Sequence, residues 1–110
     1  MPINDKQLEW AMDILIDRDN EAAKARAGHE HMADLDKVVL AKLMGQSNEK
    51  SAAAKEAWAR AHPDYEAHLE QKKMLAEMDY AKRDRRSAAS AVIEMWRTEQ
   101  SNARAAGQMR

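Results

Sequence analysis

Proline and glycine, the residues that most often end helices, are nearly missing from two long parts of this chain. Residues 5–44 contain no proline and one glycine, and residues 63–106 contain no glycine and one proline, at their first position. Both parts are rich in Ala, Glu, Lys, Arg and Met, which favour helices. We therefore predict an all-α fold with one long helix over 5–44 and another over 63–106.

Local signals mark where these helices begin and end. Asn4 and Gln7 have the spacing of a capping box at the start of the first helix. Gly45 is placed to end that helix, and a serine or asparagine at 47–48 to cap a short alanine-rich helix over 49–61. The proline that follows suits the first turn of the last helix, and the glycine after residue 106 is expected to end it.

Bulky hydrophobic side chains are scarce in the 110-residue chain. Alanine supplies 22 of its 49 hydrophobic residues, Ile, Leu and Val together number 14, and there is no Phe. A thick globular core needs more bulk than this. We therefore predict a single helical domain over 1–110, built as an elongated, coiled-coil-like antiparallel hairpin of two long helices with a short connecting helix.

The distribution of charge favours the same pairing. Residues 1–36 carry nine acidic and four basic residues, whereas residues 79–110 carry four acidic and seven basic ones. The net charge of the whole chain is −1. Opposite charges on the first and last helices favour an antiparallel arrangement, although each exposed ion pair contributes only about 0–1 kcal/mol.

The antiparallel register predicts a bulky cluster at each end of the hairpin and a thin middle. The cluster near the termini would contain Leu8, Met12, Leu15, Val92, Met95 and Trp96. The cluster near the hinge would contain Leu35, Val38, Val39, Leu40, Leu43, Leu69, Met74, Leu75 and Met78. Between them, the alanines and Gly28 of segment 22–28 lie opposite the basic run 82–86. The thin middle and an open face predict a homodimer.

Several classes of protein are excluded or disfavoured by what the sequence lacks. There is no cysteine, which excludes disulfides and thiolate chemistry, and no glycine-rich phosphate loop or serine elbow is present. His62 and His68, on either side of a proline, lack a third metal ligand. No segment has the pattern of a membrane span or a secretory signal. We expect a cytoplasmic protein that is not an enzyme and has no catalytic residue, cofactor or metal.

Two histidines close together in the first helix suggest a metal site only at first sight. His29 and His31 are two positions apart, so on a helix their imidazoles point to nearly opposite sides and cannot share one ion. We predict instead that they are surface histidines that face Glu77 or Asp79.

The most concentrated charge in the chain is a basic run in the last helix. Lys82, Arg83, Arg85 and Arg86, continued by Arg97, are candidate nucleic-acid contacts, because such a stripe can bind phosphates in a salt-sensitive way. Aromatic residues that could stack on bases are sparse near the run. The favoured interpretation is a solvated face paired with the acidic first helix.

Two tryptophans are candidate anchors for a protein partner. Trp58 stands on the alanine-rich short helix, where it either inserts into the core at the hinge or stays exposed as an anchor. Burial is the commoner outcome for such a residue. Trp96, in the last helix, is the second candidate anchor.

Four segments resemble a family of small helical phage and prophage proteins: 41–44, 51–55, 65–70 and 91–105. The most distinctive element is Trp96-Arg97-Thr98, and the resemblance covers about residues 35–106. The resemblance implies an accessory role in phage DNA metabolism or host takeover inside a bacterial host cell, and it carries over no catalytic residue.

These observations favour a non-enzymatic phage or prophage interaction protein, an accessory factor in recombination or replication. It would bind a protein partner, of an identity the sequence does not give, by packing of helix faces. Two alternatives stay open. The first is an inhibitor of a host defence or host polymerase system, and the second is a direct nucleic-acid-binding protein that uses the basic stripe of the last helix.

Overall fold

The computed structural model of the chain describes residues 2–108, and within that range it contains four helices and no strand. The helices are α1 (Asp5–Ile16), α2 (Glu21–Gln46), α3 (Ala52–Arg60) and α4 (Pro63–Gln108). The predicted all-α class is confirmed. Within residues 2–108, none of the helices combines the length and the hydrophobicity of a membrane span.

The chain divides into two compact units. Unit 1 comprises the described residues of Met1–Ala22 and Tyr80–Arg110, and unit 2 comprises Ala23–Asp79. Unit 1 therefore contains α1 and the second half of α4, while unit 2 contains most of α2, all of α3 and the first part of α4.

The first predicted helix is interrupted at Asp17–Asn20, so the prediction of one helix over 5–44 is wrong there. Asp17 and Asn20 adopt the left-handed conformation, with φ of 50° and 55°. Asp and Asn tolerate this conformation better than most residues. The Asp17 carboxylate also accepts a hydrogen bond from the backbone N–H of Ala22, which satisfies a donor in the first turn of α2.

Other helix ends match or shift from the predicted positions. The capping box is present: the Asn4 side chain accepts from the Gln7 N–H, and the Gln7 side chain accepts from the Asn4 N–H. The N-cap of α3 is Ser51, whose hydroxyl accepts from the Ala54 N–H, and not a residue at 47–48. The helices also include Gly45 and Gly107, which were expected to lie beyond their ends.

In unit 1, α1 packs antiparallel against the second half of α4. The backbone N–H of Ile3 donates to the Glu99 carboxylate at 3.0 Å, and Arg86 donates to carbonyls in the last turn of α1. Residues early in α1 thus lie beside residues late in α4. Ala11 and Ala89, between these two contacts, are fully buried, because their small side chains allow the two helix backbones to approach closely.

In unit 2, α2 packs antiparallel against the first part of α4, and α3 closes one end. The largest buried cluster is Leu43, Ala59 and Tyr65, one residue from each of the three helices. Val39, Leu40 and Met44 pack against this cluster. Toward the other end, Leu75 comes within ordinary contact distance of Gly28, at 3.9 Å from the position a Cβ would take.

Four buried positions of α4 and six half-buried ones together recur at alternating intervals of three and four residues, as in a coiled coil. We call them the α4 seam. In unit 2 the seam is Tyr65, His68, Lys72, Leu75 and Asp79, and in unit 1 it is Lys82, Arg86, Ala89, Ile93 and Trp96. Five of these ten residues are His, Asp, Lys or Arg. In unit 2 the sequence predicted hydrophobic packing at this level of the helix, whereas in unit 1 it placed the basic run opposite small residues.

The seam explains which predicted core residues are buried. Leu43 is buried, and Leu8, Leu15, Leu35, Val39, Leu40, Leu75, Val92 and Trp96 are half-buried. Six predicted core residues are instead exposed: Met12, Val38, Leu69, Met74, Met78 and Met95. On α4 the exposed ones fall between seam positions. In unit 2 the seam positions beside them are held by His68, Lys72 and Asp79, whereas the positions beside Met95 are held by Ile93 and Trp96.

Truncation of Leu43 tests the core of unit 2. Leu43→Ala removes a side chain that is 3% exposed, and we expect the free energy of unfolding to fall by about 2–4 kcal/mol. Leu69→Ala makes the same chemical change at an exposed position of unit 2, where the loss should stay below about 1 kcal/mol. Urea unfolding followed by circular dichroism measures both, and equal losses would contradict this packing.

Candidate functional site

Two members of the basic run face the inside of unit 1. The Lys82 ammonium donates to the Glu21 carboxylate at 2.7 Å. The Arg86 guanidinium donates to the backbone carbonyls of Ile14 and Leu15, at 3.1 and 3.4 Å. These carbonyls lie in the last turn of α1, where no further helical N–H follows to satisfy them. Arg86 therefore acts as a side-chain cap for α1.

The other members of the run point in different directions around α4. Arg85 lies one position before the seam residue Arg86, which on a helix is about 100° away. Arg83 and Arg97 are exposed and two heptads apart, so they share the opposite flank. Arg97 pairs with Glu94 on its own helix, at 3.2 Å. The five predicted phosphate contacts thus do not form one stripe.

The bend between α1 and α2 opens a cleft of ≈ 290 Å³ in unit 1. Its wall contains four acidic and four basic side chains, together with Ile14 and Ala22. The charged members are Asp13, Asp17, Arg18, Asp19, Glu21, Lys82, Arg85 and Arg86. Because Arg86 and Lys82 are held by α1 and Glu21, and Asp17 holds the start of α2, the polar groups of the cleft mainly stabilise the bend.

A second polar cluster lies in the seam of unit 2. The Asp36 carboxylate bridges two residues of α4: His68 Nε2 lies 2.6 Å from one oxygen, and Lys72 donates to the other. The hydrogen bond from Lys72 is the main reason that the Asp36 pKa is lowered; burial opposes it, and the hydrogen bond with His68 lowers the pKa further. His68 is itself buried and tilted against Tyr65.

The two histidines of α2 have different surroundings. His29 Nδ1 lies 2.8 Å from an oxygen of Asp79, a carboxylate that is 1% exposed. The prediction that a histidine of this pair faces Glu77 or Asp79 is thus confirmed for His29 and Asp79, while His31 is exposed. Among residues 2–108 no group of three His, Cys, Asp or Glu side chains could hold a metal ion.

The candidate anchors are only partly covered. Trp58 is 36% exposed and tilted against His62, with ring centroids 5.1 Å apart, so it does not enter the cluster around Leu43. Trp96 occupies the seam of unit 1 and is half-buried. Larger exposure occurs at residues that the sequence had placed in the core or had not singled out as anchors: Trp10, Met12, Ile16, Met74, Met78 and Met95.

The chain matches no protein-family model, and searches of curated proteins and of solved structures found no match.

Neutralisation of Arg86 tests its role as a cap. The side chain in Arg86→Gln is uncharged and shorter, so it cannot donate to both carbonyls of α1. We expect the free energy of unfolding to fall by about 1–3 kcal/mol and amide hydrogen exchange in α1 to become faster. Arg85→Gln, on the neighbouring side of the same turn, should leave exchange in α1 unchanged. If the two variants exchange alike, Arg86 is not the residue that holds the end of α1.

Acid should weaken unit 2 through Asp36. The pKa of this carboxyl is lower in the folded chain than its ordinary value, so its stabilising contribution is present above the unfolded pKa of about 3.9 and is lost as the pH falls through the folded pKa. We expect the urea midpoint to fall more steeply below about pH 4 in the unmodified chain than in Asp36→Asn.

The control for this titration is Asp34→Asn, which changes an exposed aspartate two residues earlier on α2. This variant should keep the pH dependence of the unmodified chain. A decline in Asp36→Asn as steep as in the unmodified chain would show that other carboxyls govern the acid transition.

Proposed function

We propose that this chain is a non-enzymatic helical interaction protein, and that another protein chain covers its apolar helix faces. Its exposed hydrophobic side chains, its small core and its polar clusters all support this proposal. The polar clusters pair side chains across helices, and none of the described clusters joins a nucleophile to a base in an open pocket. Packing of helix faces is then the activity that the geometry supports best.

The exposed surface carries the proposal. Within residues 2–108, ten large hydrophobic side chains have exposed fractions of 36% or more. Exposed hydrophobic side chains in this number are typical of a surface that another protein covers.

The core supports the same conclusion. Of the seven hydrophobic residues that are buried within residues 2–108, four are alanine. Met32, Leu43 and Tyr65 are the three larger ones. Burial of hydrophobic surface is the main favourable term in folding, so a chain with so little of it gains much of its stability from association.

Our proposal for the biological setting draws on the resemblance of residues 35–106 to small phage and prophage proteins. We propose an accessory role in phage DNA metabolism, recombination or replication, in the cytoplasm of a bacterial host, and a homodimer as the working form. Inhibition of a host defence or host polymerase system would use the same surface on another target.

Direct nucleic-acid binding is less well supported by the side-chain contacts. Lys82 and Arg86 are engaged within unit 1, and Arg85 lies on a different side of α4 from Arg83 and Arg97. Titration of single- and double-stranded DNA at low and high salt separates the alternatives. Tight, salt-sensitive binding that is lost in Arg83→Glu/Arg97→Glu would favour the nucleic-acid function.

The proposed function predicts that stability depends on the concentration of the chain. We expect the midpoint of thermal unfolding to rise over about a hundredfold increase in concentration, because association stabilises the folded state by mass action. Circular dichroism gives the midpoint and sedimentation equilibrium the mass. A monomer with a cooperative, concentration-independent transition would contradict the proposal, since it would show that the chain needs no covering partner.

A further inference from the structure

We propose that an exposed face of α1 in unit 1 binds a basic amphipathic helix of a partner protein. This inference rests on the proposed function, because it names the chemistry of a chain that covers an apolar face. We call this surface the α1 face. It consists of five exposed residues: Asp5, Glu9, Met12, Asp13 and Ile16.

The α1 face lies away from the internal packing of unit 1. Ala11 is fully buried, and Leu8 and Leu15 are half-buried, so these three residues mark the covered side of α1. Three members of the α1 face each follow one of them by one position, and a step of one residue turns a helix by about 100°. The α1 face is therefore open to another chain.

Two large hydrophobic side chains lie in the α1 face. Met12 is 48% exposed and Ile16 is 54% exposed. They are four positions apart, so they are neighbours on the helix surface and together offer an apolar strip to a facing helix. Neighbouring apolar residues at this spacing are the anchors that helix-to-helix recognition uses.

The three carboxylates of the α1 face are not compensated inside the chain. Within residues 2–108, no ion pair and no side-chain hydrogen bond engages Asp5, Glu9 or Asp13, and Lys6, the basic residue of α1, forms none either. Glu9 is four positions from each of the two aspartates, and like charges at this spacing destabilise a helix.

The charge of Asp13 is unfavourable for a second reason. It lies in the last turn of α1, a turn without a basic residue, where a negative charge opposes the helix dipole. The free chain therefore has a hydrophobic strip bordered by carboxylates that repel one another. Lysine or arginine side chains on an approaching helix would relieve this repulsion.

The same charges select among possible partners. A partner helix with Lys or Arg beside its hydrophobic residues would complement both the carboxylates and the apolar strip. A second copy docked through its own α1 face would bring three carboxylates against three. A nucleic acid would likewise bring negative charge to the face. The observations thus favour a basic segment of another protein.

Peptide binding tests this inference directly. The probe is a labelled helical peptide of about 20 residues, with Leu at the a and d positions of its heptads and Lys on both sides. The control probe carries Glu in place of each Lys. Fluorescence anisotropy should show saturable binding of the Lys peptide that weakens as salt rises, and binding of the Glu peptide that is at least about tenfold weaker.

Truncation of the apolar strip locates the binding. Met12→Ala/Ile16→Ala should weaken binding of the Lys peptide by about tenfold. The matched control is Met74→Ala/Met78→Ala, which removes two exposed hydrophobic side chains of α4 in unit 2. It should leave binding unchanged.

Neutralisation of the carboxylates should move affinity and stability in opposite directions. Glu9→Gln/Asp13→Asn should weaken binding of the Lys peptide by about tenfold. It should also raise the midpoint of thermal unfolding of the free chain by roughly 2 °C, because the like-charge repulsion is removed. Glu70→Gln/Glu77→Gln, at exposed positions of α4, is the matched control and should leave binding unchanged.

The outcomes separate this inference from the proposed function. No binding of the Lys peptide, equal binding of the two peptides, or equal loss in the α1 and α4 variants would overturn the α1 face as a site for a basic helix. A homodimer in sedimentation that is lost in Met12→Ala/Ile16→Ala would show that a second copy occupies the face, which would overturn the basic partner and support the proposed function. A monomer with concentration-independent unfolding that still binds the Lys peptide through α1 would overturn the homodimer and leave the α1 face standing.

Discussion

The pairing of charged side chains along the α4 seam is the interaction on which the packing of both units depends. A coiled coil normally carries hydrocarbon at the positions where this helix carries His68, Lys72 and Asp79 in unit 2 and Lys82 and Arg86 in unit 1. A charge at a covered position is costly unless a partner satisfies it. Each of these side chains accordingly meets a specific group on a facing helix or helix end.

Such pairs define a register more than they add stability. Removal of one member of a buried pair leaves the other unsatisfied, whereas replacement of both by hydrocarbon is often neutral or favourable. Asp36 can reach both His68 and Lys72 only in one alignment of α2 and α4. A slip by one turn would bring a different residue opposite them, so the polar seam selects an alignment that alanine-rich helices alone would leave open.

The all-α fold and the capping box were predictable from the sequence because they depend on neighbouring residues. The scarcity of proline and glycine favours a helix residue by residue. The capping box formed by Asn4 and Gln7 lies within a single turn. The bend had a local signal too, since Asp17-Arg18-Asp19-Asn20 is rich in residues that cap helices and tolerate the left-handed conformation. This bend contains neither proline nor glycine, so the absence of these residues does not exclude a bend.

The candidate site was less predictable, because the role of a charged residue is set by the helix opposite. The basic run was identified correctly as a concentration of charge, but nothing within residues 82–86 states that Arg86 caps the end of α1. The pairing of His29 with Asp79 was predictable because the antiparallel register brings them level. The exposed methionines were not predictable, because hydrophobicity alone does not say which residues a facing helix covers.

The polar residues of the seam also affect which side chains are exposed on the surface. In unit 2, His68, Lys72 and Asp79 occupy covered positions of α4, and Met74 and Met78 lie outside the seam, at more than half exposure. Hydrophobic side chains that would have closed a core in that unit are instead available to another chain. Methionine suits this role, because its flexible side chain adapts to different partner surfaces. The arrangement that fixes the internal register thus also moves hydrophobic area to the surface, where association can use it.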